Sequence, residues 1–134
     1  MEAFESVHIK DLSHLAIRWC FVKCITAPCE FKLIQETLQP REIISLYPNP
    51  ATNPNSDDKF NRLFYYEELI CNQKISISST HCENPKYQAS LIDLDNYNRT
   101  FCMYDNDPIF AGMKCFIASQ CKSDTISVPK SLLT

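Results

Sequence analysis

Eight cysteines, three histidines and a late group of aspartates are the residues of this chain whose types and spacing could do chemistry. Cys20, Cys24 and Cys29 lie close together, and His81 beside Cys82 could complete a zinc site with them. No Cys-x-x-Cys knuckle is present, however, and period-two alternation would put Cys20 and Cys24 on one buried strand face, so no metal site and no cofactor are expected. Cys–His nucleophile pairs arise easily by chance from such numbers, and none here carries a local signature. Asp93, Asp95, Asp105 and Asp107 suggest calcium or carboxylate catalysis. They lack the glycine and the terminal bidentate glutamate of an EF-hand loop, which leaves turn chemistry and a solvated rim as the expectation. The only glycine, Gly112, leaves no room for a phosphate-cradling loop or a G-x-S-x-G elbow, and His8, His14 and His81 form no H-E-x-x-H pair. A protein that is not an enzyme, with no catalytic residues, is the expected class.

Whether the eight cysteines (Cys20, Cys24, Cys29, Cys71, Cys82, Cys102, Cys115 and Cys121) are paired depends on compartment. An even number permits a four-bridge framework. Most of them sit in apolar segments rather than glycine-rich loops, which favours free thiols acting as small buried hydrophobes. The opening Met1-Glu2-Ala3-Phe4-Glu5 has neither the basic nor the apolar part of a signal peptide, so a cytoplasmic location, with a germ granule or the nucleus as variants, is expected. The alternative is a secreted, disulfide-stabilised ligand or receptor-modulating domain, for which Asn98-Arg99-Thr100 would be a glycosylation sequon. No apolar run approaches the ~18 residues of a membrane span. With 13 basic against 16 acidic residues and a net charge of -3, no direct nucleic-acid contact is expected either.

The elements that must position these residues read as an α+β chain: a small mixed sheet or OB-like barrel of about five strands with two or three short helices. One domain over residues 1–134 is expected. Residues 15–25, LAIRWCFVKCI, alternate with aromatic and β-branched side chains and predict a strand. Phe31, Ile34 and Leu38 predict a short helix over 30–38, ended by Pro40. Three prolines and three asparagines mark residues 47–58 as an exposed loop, followed by a helix over 57–70 with Asp57 and Asp58 in its first turn. Residues 74–78 and 87–94 predict a hairpin around Asn84-Pro85, and 99–104 a third strand of a meander. Asp107-Pro108 opens a helix whose buried face is Ile109, Phe110, Met113, Phe116 and Ile117. Residues 125–133 form a final strand that Pro129 restricts to an edge.

The run FNRLFYYEELICNQKISISSTHCENPKYQASLIDLDN, residues 60–96, resembles the staphylococcal-nuclease-like, OB-type portion of an extended Tudor domain. Tyr66-Glu67-Glu68-Leu69-Ile70-Cys71-Asn72-Gln73-Lys74 stands where that family has a helix ending in an F-x-E-L-x-x-G-K phrase. Tyr87-Gln88-Ala89-Ser90-Leu91-Ile92-Asp93 stands where it has Y-x-V-x-L-x-D. Asn72 replaces the usual glycine, and asparagine also enters left-handed conformations. Residues 6–28 are similar to the stretch that leaves a Tudor core. No W-Y-x-A … D-Y-G-N run is present, so methylarginine binding is not implied. What the resemblance implies is an adaptor or scaffold in small-RNA or germ-granule assemblies that has lost nuclease chemistry. It also admits an obligate hetero-complex in which a partner chain supplies the rest of the sheet.

The partner expected from the residues themselves is another protein or peptide. The helix over 57–70 carries aromatics on more than one face, so Tyr65 or Tyr66, with Tyr87 or Tyr97 from the neighbouring strands, is expected to contribute to the partner-binding surface.

Overall fold

The computed structural model describes residues 3–46, 74–93 and 99–133. Residues 15–25, expected as a strand, lie in helix α1 (His14–Ile25). Ser13 caps it from an extended backbone, its Oγ accepting the Ala16 N–H at 3.2 Å. The apolar run mimics alternation because nearly every position in it is apolar, with Arg18 and Lys23 the charged exceptions. Ala16, Ile17, Trp19, Cys20, Phe21 and Val22 are all buried, the signature of a helix enclosed on most of its circumference. Length also favours the helix, since twelve residues exceed the usual buried strand.

Two prolines start the next helices at the position where a missing N–H removes no helical bond. Helix α2 (Pro28–Thr37) contains most of the segment expected to be helical, and Pro40 opens α3 (Pro40–Ser45). A capping box closes the start of α3, with the Gln39 N–H donating to Glu42 Oε1 at 3.1 Å. The loop expected at 47–58 and the helix expected at 57–70 lie outside the described residues.

The expected meander is present. Strands β2 (Ser76–Ser79), β3 (Tyr87–Asp93) and β4 (Arg99–Asp105) form an antiparallel sheet in that order, and the Asn84–Pro85 peptide between the first two is cis. The register aligns Ile77 with Ala89 and Ala89 with Met103, and Leu91 with Phe101, which gathers the apolar side chains on one face. Helix α4 (Pro108–Cys121) covers that face, and every residue from Ile109 to Ser119 in it is buried. Asp107 is its N-cap, accepting from the Ile109 N–H at 2.8 Å and the Phe110 N–H at 3.3 Å. Replacing Asp107 by alanine leaves those donors without their acceptor and should lower unfolding free energy by about 1–2 kcal/mol in denaturant titrations. An unchanged midpoint would mean that water caps this helix equally well.

Strand β5 (Thr125–Pro129) pairs antiparallel with β1 (Phe4–His8), Phe4 lying opposite Pro129. Backbone bonds clamp both ends of this ribbon, Ile9 N–H to Asp124 O at 2.8 Å and Lys130 N–H to Ala3 O at 2.9 Å. The class is therefore α+β, and the described residues hold five strands in two small antiparallel sheets. Among the described residues no barrel closes, and four α-helices are present where two or three were expected.

Helices α1 and α4 pack side by side and run parallel. His14 stacks on Phe110 near the start of both, at 3.9 Å between ring centroids. One to two turns further on, Phe21 meets Phe116 edge-on at 5.6 Å. The intervals of seven and six residues correspond to nearly equal rises of about 10 Å at 1.5 Å per residue, so the two helices stay in step.

Candidate functional site

Trp19 is fully buried, gripped edge-on by Phe31 at 5.4 Å and by Phe4 at 5.9 Å, with Lys23 Nζ 5.7 Å from its ring. Beside it opens a cavity of about 680 Å³. Phe4, Trp19, Leu38, Ile43 and Pro129 give this cavity an apolar floor, and Lys32, Gln35, Glu36 and Gln39 give it a polar rim. Three parts of the chain converge here: the first residue of β1 with the last of β5, the middle of α1, and the α2–α3 junction. Trp19 Nε1–H is buried with no acceptor among the described residues. A buried donor without a partner is uncommon, and with Trp19 wholly buried its Nε1–H is shielded from anything in the cavity. Size and lining match sites for a small ligand or for an anchor side chain of a peptide.

A second polar cluster ties the helices to the meander. Asp105, at the end of β4, binds Lys114 Nζ at 3.0 Å through Oδ2, and both side chains are buried. Its Oδ1 accepts from His14 Nε2 at 3.0 Å and from the Asp107 N–H at 2.9 Å. Lys114 Nζ also donates to Tyr104 O at 2.9 Å and Lys10 O at 3.2 Å. Burial alone would push the Asp105 carboxyl upward. The Asp107 N–H, the Lys114 ammonium and His14 outweigh it and hold the carboxyl below its ordinary value. A histidine oriented by a carboxylate can serve as a general base, but His14 lies flat on Phe110, and its recorded hydrogen bond goes to Asp105 rather than to a nucleophile. The cluster joins α1, β4 and α4 and answers its own hydrogen-bonding needs.

The seven described cysteines are unbridged, and Cys71 lies outside the described residues. Cys20 and Cys115 are buried, and burial pushes each thiol up to about 12. Cys20, Cys24 and Cys29 do not converge on His81 and Cys82, which occupy the β2–β3 turn with Cys82 exposed. Among the described residues no group of three or more His, Cys, Asp or Glu is placed to hold a metal ion. The aspartates are dispersed into separate roles: Asp93 binds Lys122 at 2.8 Å, Asp105 sits in the buried cluster, and Asp107 caps α4. Asp95 lies outside the described residues.

Of the four tyrosines expected at a partner surface, Tyr87 opens β3, half-buried against the core and opposite Ser79 and Asp105. Tyr65, Tyr66 and Tyr97 lie outside the described residues. The sequence reading missed the cavity because its walls come from segments more than a hundred residues apart in the chain. It also missed Lys114, although a lone lysine inside an otherwise apolar helical run, IFAGMKCFIA, signals a charge that needs a buried partner.

Comparison with protein-family models, with curated proteins and with solved structures finds no match to this chain.

Proposed function

We propose that this protein is a non-catalytic interaction module that holds an extended segment of a partner protein, with the cavity beside Trp19 receiving an anchor side chain. The observation that carries this reading is the cavity itself, with its apolar floor and its polar rim. Strand β1 adds support. It pairs with β5 along one edge, most of its side chains are exposed, and its first residue, Phe4, is both 44% exposed and part of the cavity lining. An extended peptide laid along a strand edge takes its affinity from main-chain bonds and its specificity from pockets for alternate side chains. The likeness of residues 60–96 to extended Tudor domains supports a partner in cytoplasmic small-RNA assemblies. The unbridged thiols support an adaptor over a secreted, disulfide-stabilised ligand.

Selection of the full chain against a displayed library of random decapeptides tests the reading. Extended sequences with a recurring apolar anchor should be enriched. Phe4→Ala and the rim reversal Lys32→Glu should each weaken the selected peptides about 10-fold or more, the scale of an anchor contact. Ile92→Ser, on the exposed face of the meander, should leave binding unchanged. Peptides that tolerate both cavity substitutions but are lost on joint replacement of Tyr65 and Tyr66 by alanine would move the partner surface to the 57–70 segment. No enrichment at all would end the proposal.

A further inference from the structure

The α2 side of the cavity carries two opposite charges that the protein itself does not use. Lys32, Gln35 and Glu36 stand at i, i+3 and i+4 on α2, which places them on one helical face, and all three line the cavity. They are exposed. Although Lys32 and Glu36 are four apart, neither enters an ion pair among the described residues. Lysine ahead of glutamate is the weaker order for such a pair on a helix. Both charges are therefore open to an occupant, and the Gln35 amide between them offers a donor and an acceptor.

The other side of the cavity is apolar. Phe4 and Pro129 face each other across the β1–β5 pair, and both line it. Trp19 stands between the two sides, edge-on to Phe4 at 5.9 Å and to Phe31 of α2 at 5.4 Å. A volume of about 680 Å³ is on the scale of a drug-sized ligand and more than one anchor side chain fills, so residues flanking an anchor enter as well. The spacing of the charges suits an extended chain. Four helical residues rise about 6 Å, and two residues of a strand cover about 6.6 Å. Side chains two apart on a strand point to the same side, and the one between them points to the other.

Resting on the reading of this cavity as a peptide site, we propose that its occupant is an extended stretch of partner chain in which an acidic and a basic residue flank an apolar one. The acidic residue faces Lys32 and the basic residue faces Glu36. The apolar residue between them turns to Phe4 and Pro129. With one charge of each sign, α2 favours neither acidic nor basic peptides as such. It selects for order: exchanging the two charges of the peptide sets like against like at both ends, which is how a wrong partner is rejected.

The test repeats the decapeptide selection on the full chain, on Lys32→Glu and on Glu36→Lys. Wild type should enrich an apolar residue flanked by one acid and one base, in a single order. Lys32→Glu should convert the preferred acid to a base and leave the other flank unchanged, and Glu36→Lys should convert the preferred base to an acid. A peptide selected on wild type should bind either variant about 10-fold more weakly, and reversing the one matching charge in the peptide should restore most of that loss. Both substituted residues are exposed, so the melting curves of the variants should overlay that of wild type. Peptides that share an apolar anchor but show no charged flanks overturn this inference and leave the cavity reading standing. So do charged flanks that appear in both orders, or that do not follow the substitutions. No enrichment on any of the three proteins removes both.

Discussion

Asp105→Asn should lower unfolding free energy by about 3–5 kcal/mol at pH 7, because it leaves the Lys114 ammonium buried without its counter-charge. The side chains of both residues are less than 8% exposed, at 7% for Asp105 and 6% for Lys114, so water cannot replace the lost partner. Asparagine keeps the shape and one acceptor but none of the charge. The dependence on pH follows from the lowered carboxyl. A carboxylate held below its unfolded value contributes fully above about 3.9, and its contribution fades as pH falls from there through the folded value. The gap between wild type and variant should therefore be widest near neutrality and narrow below about pH 4. The chain's single tryptophan, Trp19, reports both curves by fluorescence. A double variant, Asp105→Asn with Lys114→Met, should regain part of the loss, since it removes the stranded charge along with its partner. A single variant within 1 kcal/mol of wild type, or a double variant no better than the sum of the singles, would show that the pair is not coupled.

Where local chemistry decided the structure, the sequence could be read. Asp107 followed by Pro108 can cap and start a helix, and it does, with the apolar positions after it buried as their spacing required. The Asn84–Pro85 turn separated two strands, and the acidic, asparagine-rich segment after β3 preceded the third. Residues 15–25 failed for a physical reason. A segment apolar on every side loses its periodicity, and a buried helix then resembles a buried strand. The signals that would have decided it were the Ser13 cap and the twelve-residue length, both weaker to the eye than an alternation of aromatic and β-branched side chains. The strand expected over 15–25 is accordingly replaced by helix.

The sites were harder to read than the elements because each depends on a long-range contact. Cys20 and Cys24 share a face under either reading, because a separation of four is an even number of strand positions and about one turn of helix. Only the fold as a whole buries Cys20 and Cys115 and leaves Cys29 and Cys82 at the surface. Lys114 could have been flagged as a charge in an apolar helix, yet nothing local pointed to Asp105 as its partner when Asp107 was nearer in sequence and Asp93 and Asp95 carried the same charge. The cavity is the extreme case: Phe4, Trp19 and Pro129 become neighbours only because β1 pairs with β5.

Trp19→Ala should lose about 3–5 kcal/mol, the usual loss for removing a large buried aromatic ring, and it should do so by loosening the cavity floor together with the α1–α2 contact. The ring is fully buried between Phe4 and Phe31, so no exposed surface softens the loss. Trp19→Phe separates packing from hydrogen bonding. It keeps a ring between the same neighbours and removes Nε1–H, whose lack of an acceptor among the described residues burdens the folded state by about 1–3 kcal/mol. Relief from that burden offsets the volume lost, and the phenylalanine variant should lose less than half of what alanine does. Circular dichroism is the right measure, since both variants abolish the tryptophan signal. A phenylalanine variant as unstable as the alanine one would show that Nε1–H already has a partner in the folded chain.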